Sequence, residues 1–360
     1  MSLGRTVEMS TQMPAQDIPG LLAAVARGPH HAGDLNPEAA RLLFAEWLSG
    51  QLSPIAQGAL WTAFRFKGES IGELLGFVRA TEEALVPVPL PAGPRPVVFA
   101  SYNGGRRHVN LLPLLALLLA RAGVPVLIHG AYGGIADEGG LALARHDPSV
   151  RVSTGEILAA LGFAPAPNRY TLQEQLADHR LAYVALDTLH PRLAAILSLR
   201  RQLGVRSSAH TIVKLFNPFA ETAILCAAVT HPPYLEKMQG FFRAARAHAL
   251  VLRGCEGEPV AHPRRRPALT GIVDGHLRPW FAEDRAPLTE IPALPSDSSV
   301  GHTCLFIEEV LAGHRPIPAP ICDQGACLLV MSGVASDLPD AYKRIGRSGP
   351  LSGDPYEHHD

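Results

Sequence analysis

The chain has 360 residues, of which 47% are hydrophobic and 18% charged, and its net charge is −1. This composition is typical of a folded globular protein and excludes a disordered or fibrous chain. Its five cysteines have no paired spacing, which indicates neither a disulfide framework nor a structural zinc site. The most apolar run, residues 111–120, is too short to span a bilayer, and no signal peptide is evident. We therefore expect a cytoplasmic protein that does not bind a membrane.

The first part of the chain is predicted to be helical. Asn36-Pro37 and Ser53-Pro54 each place a capping side chain before a proline that suits the first turn of a helix. Ser70 and Glu73 form a capping box ahead of a third apolar pattern. We therefore predict a helical lobe over residues 1–85, followed by a proline-rich connector over residues 86–96.

From residue 96 onwards, short apolar runs alternate with helical patterns. The runs include residues 97–101, 124–130, 183–187 and 249–254. This alternation is typical of a mostly parallel sheet flanked by helices. We therefore predict an α/β protein in which residues 96–346 form the α/β lobe and helices around 188–203 pack on the helical lobe.

Positive charge is concentrated in three segments that contain no acidic residue. These segments are residues 84–136, 188–220 and 237–255, and the run Arg264–Arg266 lies shortly beyond the third. If they meet in space, they form a positive groove that attracts phosphate groups or polyanions. The alternative is that buried strands exclude carboxylates, and it accounts for part of each gap.

Four stretches of the chain resemble the anthranilate phosphoribosyltransferases. They are residues 60–80, 101–130, 190–218 and 249–259, in the same order as in that family and over nearly the whole chain. The second stretch is similar to the family's glycine-rich loop and following helix, and the fourth to its strand ending in H-G-x-D-G-L-D-E. The resemblance implies the fold of that class, with an N-terminal helical lobe and a mostly parallel sheet flanked by helices.

The residues that the enzymes use are largely replaced. Gly104, Gly105 and Asn110 remain, but Arg106 stands at the aspartate position of the loop. The acidic pair that resembles a magnesium site in the enzymes matches Glu258-Pro259, in which one carboxylate is missing. Because magnesium prefers several oxygen ligands in near-octahedral geometry, we expect no cofactor, and magnesium only if the protein is an active transferase.

These replacements resemble a branch of the family that consists of non-enzymatic, dimeric DNA-binding proteins. The resemblance implies a homodimer, formed through the helical lobe, that binds DNA or RNA through a basic groove with little sequence preference. The candidate residues for this groove are Asn103, Gly104, Gly105, Arg106, Arg107, Asn110, His129, Gly130, Arg200, Arg206, Lys214, Arg264, Arg265 and Arg266. We assign none of them a catalytic or metal-binding role.

Several alternatives stay open at this point. His129 and His210 are more typical of hydrogen-bonded core histidines than of ligands, and a run of arginines is often a solvated loop. Two other functions are compatible with the groove: an active phosphoribosyltransferase with a rebuilt loop, and a sensor of a small anion.

Overall fold

The computed structural model describes residues 17–28, 31–132, 135–136, 150–230, 232–284, 288 and 293–346. The first 16 residues of the predicted helical lobe lie outside this part of the chain. The helices are α1 (Ile18–Val25), α2 (Pro37–Ser49), α3 (Pro54–Lys67), α4 (Ile71–Glu83), α5 (Leu112–Arg121), α6 (Thr154–Ala160), α7 (Arg169–His179), α8 (Leu186–Leu189), α9 (Pro191–Ser198), α10 (Arg200–Leu203), α11 (Ala209–Ile212), α12 (Pro232–Ala244), α13 (Val300–Leu311), α14 (Ala319–Ser332) and α15 (Leu338–Arg344). The strands are β1 (Val97–Ser101), β2 (Val126–Gly130), β3 (Ile135–Ala136), β4 (Val150–Arg151), β5 (Leu181–Ala185), β6 (Ile224–Val229), β7 (His248–Arg253), β8 (Leu269–Val273) and β9 (His276–Phe281).

The described chain divides into two compact units. The helical unit comprises the residues up to Pro87 together with His190–Pro218, and the α/β unit comprises the rest. Residues 190–218 therefore belong to the helical unit, although the segments before and after them in the sequence belong to the α/β unit. It extends beyond the 188–203 region that we expected to pack there.

The three predicted helices of the helical unit begin at the predicted caps. Asn36 and Ser53 each accept a hydrogen bond from the backbone three residues on. The capping box of Ser70 and Glu73 is formed in both directions. The fully buried Glu73 also accepts hydrogen bonds from Lys67 and from the backbone of Leu35, which fixes the segment before α2. Helix α1 was not predicted.

The α/β unit is built on a seven-stranded sheet in the order β5-β2-β1-β6-β7-β8-β9. The first five strands are parallel, and β8 and β9 are antiparallel additions. Every residue of β1, β2 and β6 is buried, as expected of parallel strands covered on both faces. The predicted fold class is therefore confirmed.

The apolar run of residues 111–120 forms most of helix α5, whose residues Leu112–Leu119 are all buried. It is an internal helix that packs on α14 and α6 in the α/β unit. Among the described residues, no helix is long and apolar enough to cross a membrane.

The parallel sheet brings three chain segments to one edge. Strands β1, β2 and β7 end at Ser101, Gly130 and Arg253, and the carboxyl ends of parallel strands lie on the same side of a sheet. Strands β1 and β2 approach so closely there that a Cβ atom on Gly130 would lie 1.9 Å from the carbonyl oxygen of Ser101. The candidate site therefore lies at this edge, in the loops after β1 and β7.

Candidate anion-binding site

The loop after β1, residues 102–107, is called the arginine loop below. Its first half is held by the buried carboxylate of Glu258, which follows β7 and is 1% exposed. The backbone N–H groups of Asn103 and Gly104 donate to one carboxylate oxygen at 2.7 and 2.8 Å. The Ser101 hydroxyl donates to the other oxygen at 2.5 Å, and the Thr154 hydroxyl lies 3.5 Å from it. Both oxygens of Glu258 are thus engaged within the chain.

The second half of the arginine loop is held by Glu256. Its carboxylate accepts the backbone N–H of Arg106 at 2.6 Å and that of Arg107 at 3.2 Å. The guanidinium of Arg151 lies 3.9 Å from the same carboxylate, whose side chain is 12% exposed. Glu256 is therefore largely covered, with its carboxylate directed at the backbone of the loop.

The remaining backbone donor of this stretch belongs to Gly105, whose N–H donates to the Val152 carbonyl at 2.9 Å. Consequently every N–H group from residue 103 to residue 107 has a partner inside the chain. The sequence suggested that Gly104 and Gly105 allow an anion to approach the backbone. That expectation needs correction, since no backbone N–H group of residues 103–107 is left for the anion.

The donor set at Glu258 does not fit a magnesium ion. One carboxylate oxygen accepts two N–H groups and the other accepts a hydroxyl, while Pro259 offers no side-chain ligand. Among the described residues, no group of three or more histidine, cysteine or acidic side chains could hold a metal ion. A magnesium ion needs several oxygen ligands in near-octahedral geometry, and this site offers one buried carboxylate that is already hydrogen-bonded within the chain.

Three further predicted site residues lie in the interior. Asn110 is 3% exposed, donates to the Thr154 hydroxyl and accepts the N–H of Leu112 at the start of α5. His129 is 1% exposed, and its Nδ1 lies 2.7 Å from the Tyr102 hydroxyl. Asn110, His129 and Gly130 therefore support the arginine loop from the interior. They are too deeply buried to contact a large ligand.

Two segments of the α/β unit that carry exposed arginines contact each other. Arg107 is exposed and Arg106 partly exposed, and the two arginines of residues 264–265 are both exposed. The rings of His108 and His262 join the segments, with centroids 4.7 Å apart in an edge-on contact. His262 also accepts the backbone N–H of Arg264 at 3.1 Å.

Electrostatics agree with this geometry. Burial, together with the charges of the neighbouring His108, Arg265 and Arg264, lowers the pKa of His262 to about 4. His262 is therefore neutral at neutral pH and can accept the backbone N–H of Arg264. This hydrogen bond is thus compatible with the charged side chains of Arg264 and Arg265.

Arg266 behaves differently from its two neighbours, and its place in the predicted groove needs correction. It is 7% exposed, lies 5.0 Å from the ring centroid of Phe281 and pairs with the buried Asp323 at 3.7 Å. The Tyr342 hydroxyl donates to the other oxygen of Asp323 at 2.7 Å. A buried arginine that compensates a buried carboxylate is part of the core, so Arg266 is unsuited to bind a ligand.

The remaining predicted cations, Arg200, Arg206 and Lys214, belong to the helical unit and lie around His210. Burial lowers the pKa of His210 to about 3, and the charges of Arg206, Arg200 and Lys214 contribute to the same shift. The ring of His210 contacts Trp61 edge-on, with centroids 6.1 Å apart. His210 is therefore a largely buried histidine that packs on Trp61, close to a cluster of positive charges in this unit.

Sequence reasoning missed Glu256, His108 and His262. Glu256 lies in the fourth family-like stretch, two positions before Glu258. Its closeness to Glu258 in the sequence was the available signal that it belongs to the same site. Nothing in the sequence indicated that His108 meets His262, because the two residues are more than 150 positions apart.

Comparisons with known proteins agree with the fold. A family model described as the helical bundle domain of a glycosyl transferase family matches residues 19–84. The uncharacterized protein YbiB of Escherichia coli K12 is 35% identical over 330 residues, which cover 91% of this chain and 98% of that protein. An anthranilate phosphoribosyltransferase of Methylorubrum extorquens is 26% identical over 329 residues, which cover 90% of this chain and 91% of that enzyme.

Among solved structures, the anthranilate phosphoribosyltransferase of Thermus thermophilus matches with a TM-score of 0.67 at 22% identity, over 92% of this chain and 93% of its own. The enzyme from Saccharomyces cerevisiae in complex with PRPP and Mg matches with a TM-score of 0.64 at 14% identity, over 92% of this chain and 93% of its own. These likenesses define the class as one with the anthranilate phosphoribosyltransferase fold. The chain belongs to the anthranilate phosphoribosyltransferase-like family and, within it, to the branch of YbiB.

Proposed function

We propose that this protein binds nucleic acid through the phosphate backbone, with little dependence on base sequence. The observation that carries the proposal is the contact between His108 and His262, which places the arginine loop beside Arg264 and Arg265. Exposed arginines on one surface suit the phosphates of an extended polyanion, because each guanidinium donates two parallel hydrogen bonds to phosphate oxygens. The cations around His210 supply a second positive cluster within the helical unit.

The second candidate is a phosphoribosyltransferase, and the relatives named above favour it. Such an enzyme transfers a sugar from a pyrophosphate donor and depends on positioning and charge neutralisation of that pyrophosphate. Here backbone donors of the arginine loop are engaged with Glu256 and Glu258, and both oxygens of the buried Glu258 are hydrogen-bonded within the chain. These contacts favour the binding protein over the enzyme.

We also propose that the protein is a homodimer formed through the helical unit. Ile55 and Phe66 of α3 are 86% and 83% exposed. They are eleven residues apart, about three helical turns, and therefore lie on the same face of α3. Large apolar side chains exposed on one face are typical of a protein interface, and a second copy of the chain is the partner expected from the sequence.

The proposal is tested with a fluorescently labelled 30-nucleotide DNA, single-stranded or duplex, and an RNA of the same sequence. Binding is measured by fluorescence anisotropy without magnesium, beside an anthranilate transfer assay with magnesium and phosphoribosyl pyrophosphate. We expect binding to every oligonucleotide at low salt, with similar affinities after the sequence is scrambled, and no transfer. Magnesium-dependent turnover without oligonucleotide binding would overturn the proposal in favour of the enzyme.

A further inference from the structure

The arginine loop has the properties of an anion site whose anion is part of the chain. A loop that turns several backbone N–H groups towards one point binds phosphate or carboxylate, because the convergent N–H dipoles stabilise negative charge. Residues 103–104 converge on one oxygen of Glu258, and residues 106–107 converge on Glu256. The two carboxylates thus occupy four backbone donors that are suited to a small anion.

We infer that Glu256 and Glu258 are internal ligands of the arginine loop, which preform it without a bound anion and close it to small phosphorylated ligands. Both glutamates lie in the connection between β7 and β8, about 150 positions after the loop that they contact. The exclusion of small anions therefore depends on a contact between two distant segments. This inference concerns small anions only and does not depend on nucleic-acid binding. Its failure and the failure of the proposed function are therefore measured separately.

The close packing around the two carboxylates supports a fixed role. A Cβ atom on Gly254, at the end of β7, would lie 1.9 Å from the carbonyl oxygen of Glu258. A Cβ atom on Gly257, which has a φ of 90°, would lie 2.8 Å from the side-chain amide of Asn103. That amide donates to the Gly257 carbonyl at 2.8 Å, so the segment carrying both glutamates is tied to the loop beside each carboxylate.

Removing one carboxylate should create the small-anion site that the protein lacks. Glu258→Ala leaves the N–H groups of Asn103 and Gly104 without their acceptor, which is unfavourable in the interior. Glu256→Ala releases the N–H groups of Arg106 and Arg107 close to the surface and disturbs less of the core. The matched control is Glu283→Ala, which removes an exposed carboxylate paired with Arg253 in the same unit.

The experiment measures binding of inorganic pyrophosphate by calorimetry in magnesium-free buffer, together with Tm in chloride, acetate and pyrophosphate of equal ionic strength. We expect Glu258→Ala to lower Tm in chloride by roughly 5–10 °C and acetate or pyrophosphate to restore at least half of that loss. Glu256→Ala should bind pyrophosphate at least tenfold more tightly than the wild type, with a smaller loss in Tm.

Glu258→Gln keeps an oxygen acceptor and fills the same space, so its Tm should respond to acetate no more than that of the wild type. If Glu258→Ala does not fold, Glu256→Ala alone decides the matter. Wild-type protein that binds pyrophosphate as tightly as the variants would overturn the inference, because the donors would then be available despite the carboxylates. Variants that fold and bind pyrophosphate no better than Glu283→Ala would overturn it as well.

Discussion

Replacing both Arg106 and Arg107 by alanine should make oligonucleotide binding markedly less sensitive to salt. If the arginine loop and residues 264–265 each contribute two phosphate contacts, four counterions are displaced when nucleic acid binds. At roughly −0.7 to −0.9 per phosphate, log K should fall with log salt at a slope of about −3 to −4. The wild type should then lose roughly a hundredfold in affinity between 50 and 200 mM salt, and the double variant only roughly tenfold.

The assay is fluorescence anisotropy at five salt concentrations with one labelled oligonucleotide and its scrambled sequence. A matched control is the Arg315→Ala/Arg344→Ala variant, which removes the same charge from two arginines that are ion-paired with Glu309 and Asp340. Cations of the helical unit can steepen both slopes, but the difference of about 1.4 to 1.8 units between wild type and loop variant remains. Equal slopes for the wild type and the loop variant would refute the assignment of phosphate contacts to this loop.

Three other changes have defined outcomes. The pKa of His210 is about 3 in the folded protein, against 6.5 in the unfolded chain. The unfolded state therefore binds more protons below pH 6.5, and the free energy of unfolding decreases as the pH is lowered. This contribution is about 2 kcal/mol from pH 7.5 to pH 5, so the loss measured by urea unfolding at the two pH values should be about 2 kcal/mol smaller in His210→Gln than in the wild type. Arg266→Met should cost about 3–5 kcal/mol in the same assay because it strands the buried carboxylate of Asp323, while oligonucleotide affinity at low temperature stays unchanged. Ile55→Ser combined with Phe66→Ser should convert the dimer to a monomer in sedimentation velocity, and a wild-type monomer would contradict the proposed dimer.

Local signals in the sequence were sufficient for most of the fold. The caps at Asn36, Ser53 and Ser70 act on backbone groups three residues away, so their effect is readable without the tertiary structure. Buried parallel strands are also readable as short apolar runs. Helix α1 was missed because its proline and glycine lie inside a short apolar stretch, where propensity disfavours a helix and tertiary packing of Leu21 and Val25 compensates.

The site was less predictable because its chemistry depends on contacts between distant segments. The sequence does not distinguish the three consecutive arginines from one another. In the structure, Arg266 is buried against Asp323 and the other two are exposed. Likewise, two glycines in a loop indicate access to the backbone only while no other group takes the N–H groups. Whether Glu258 faces a metal ion or turns into the loop is decided by its hydrogen-bond partners, which lie at least 100 positions away in the sequence.

The two features of the arginine loop are consistent with each other in physical terms. A small, highly charged ligand needs many donors converging on one point, and such convergence comes from backbone N–H groups and a metal ion held at fixed distances. An extended polyanion needs separate cations on a surface, because its charges are spread along the chain and each phosphate is met by one side chain. Filling the backbone donors with Glu256 and Glu258 removes the first kind of binding and leaves the guanidinium groups above them to support the second. The pyrophosphate and salt experiments test these two kinds of binding independently.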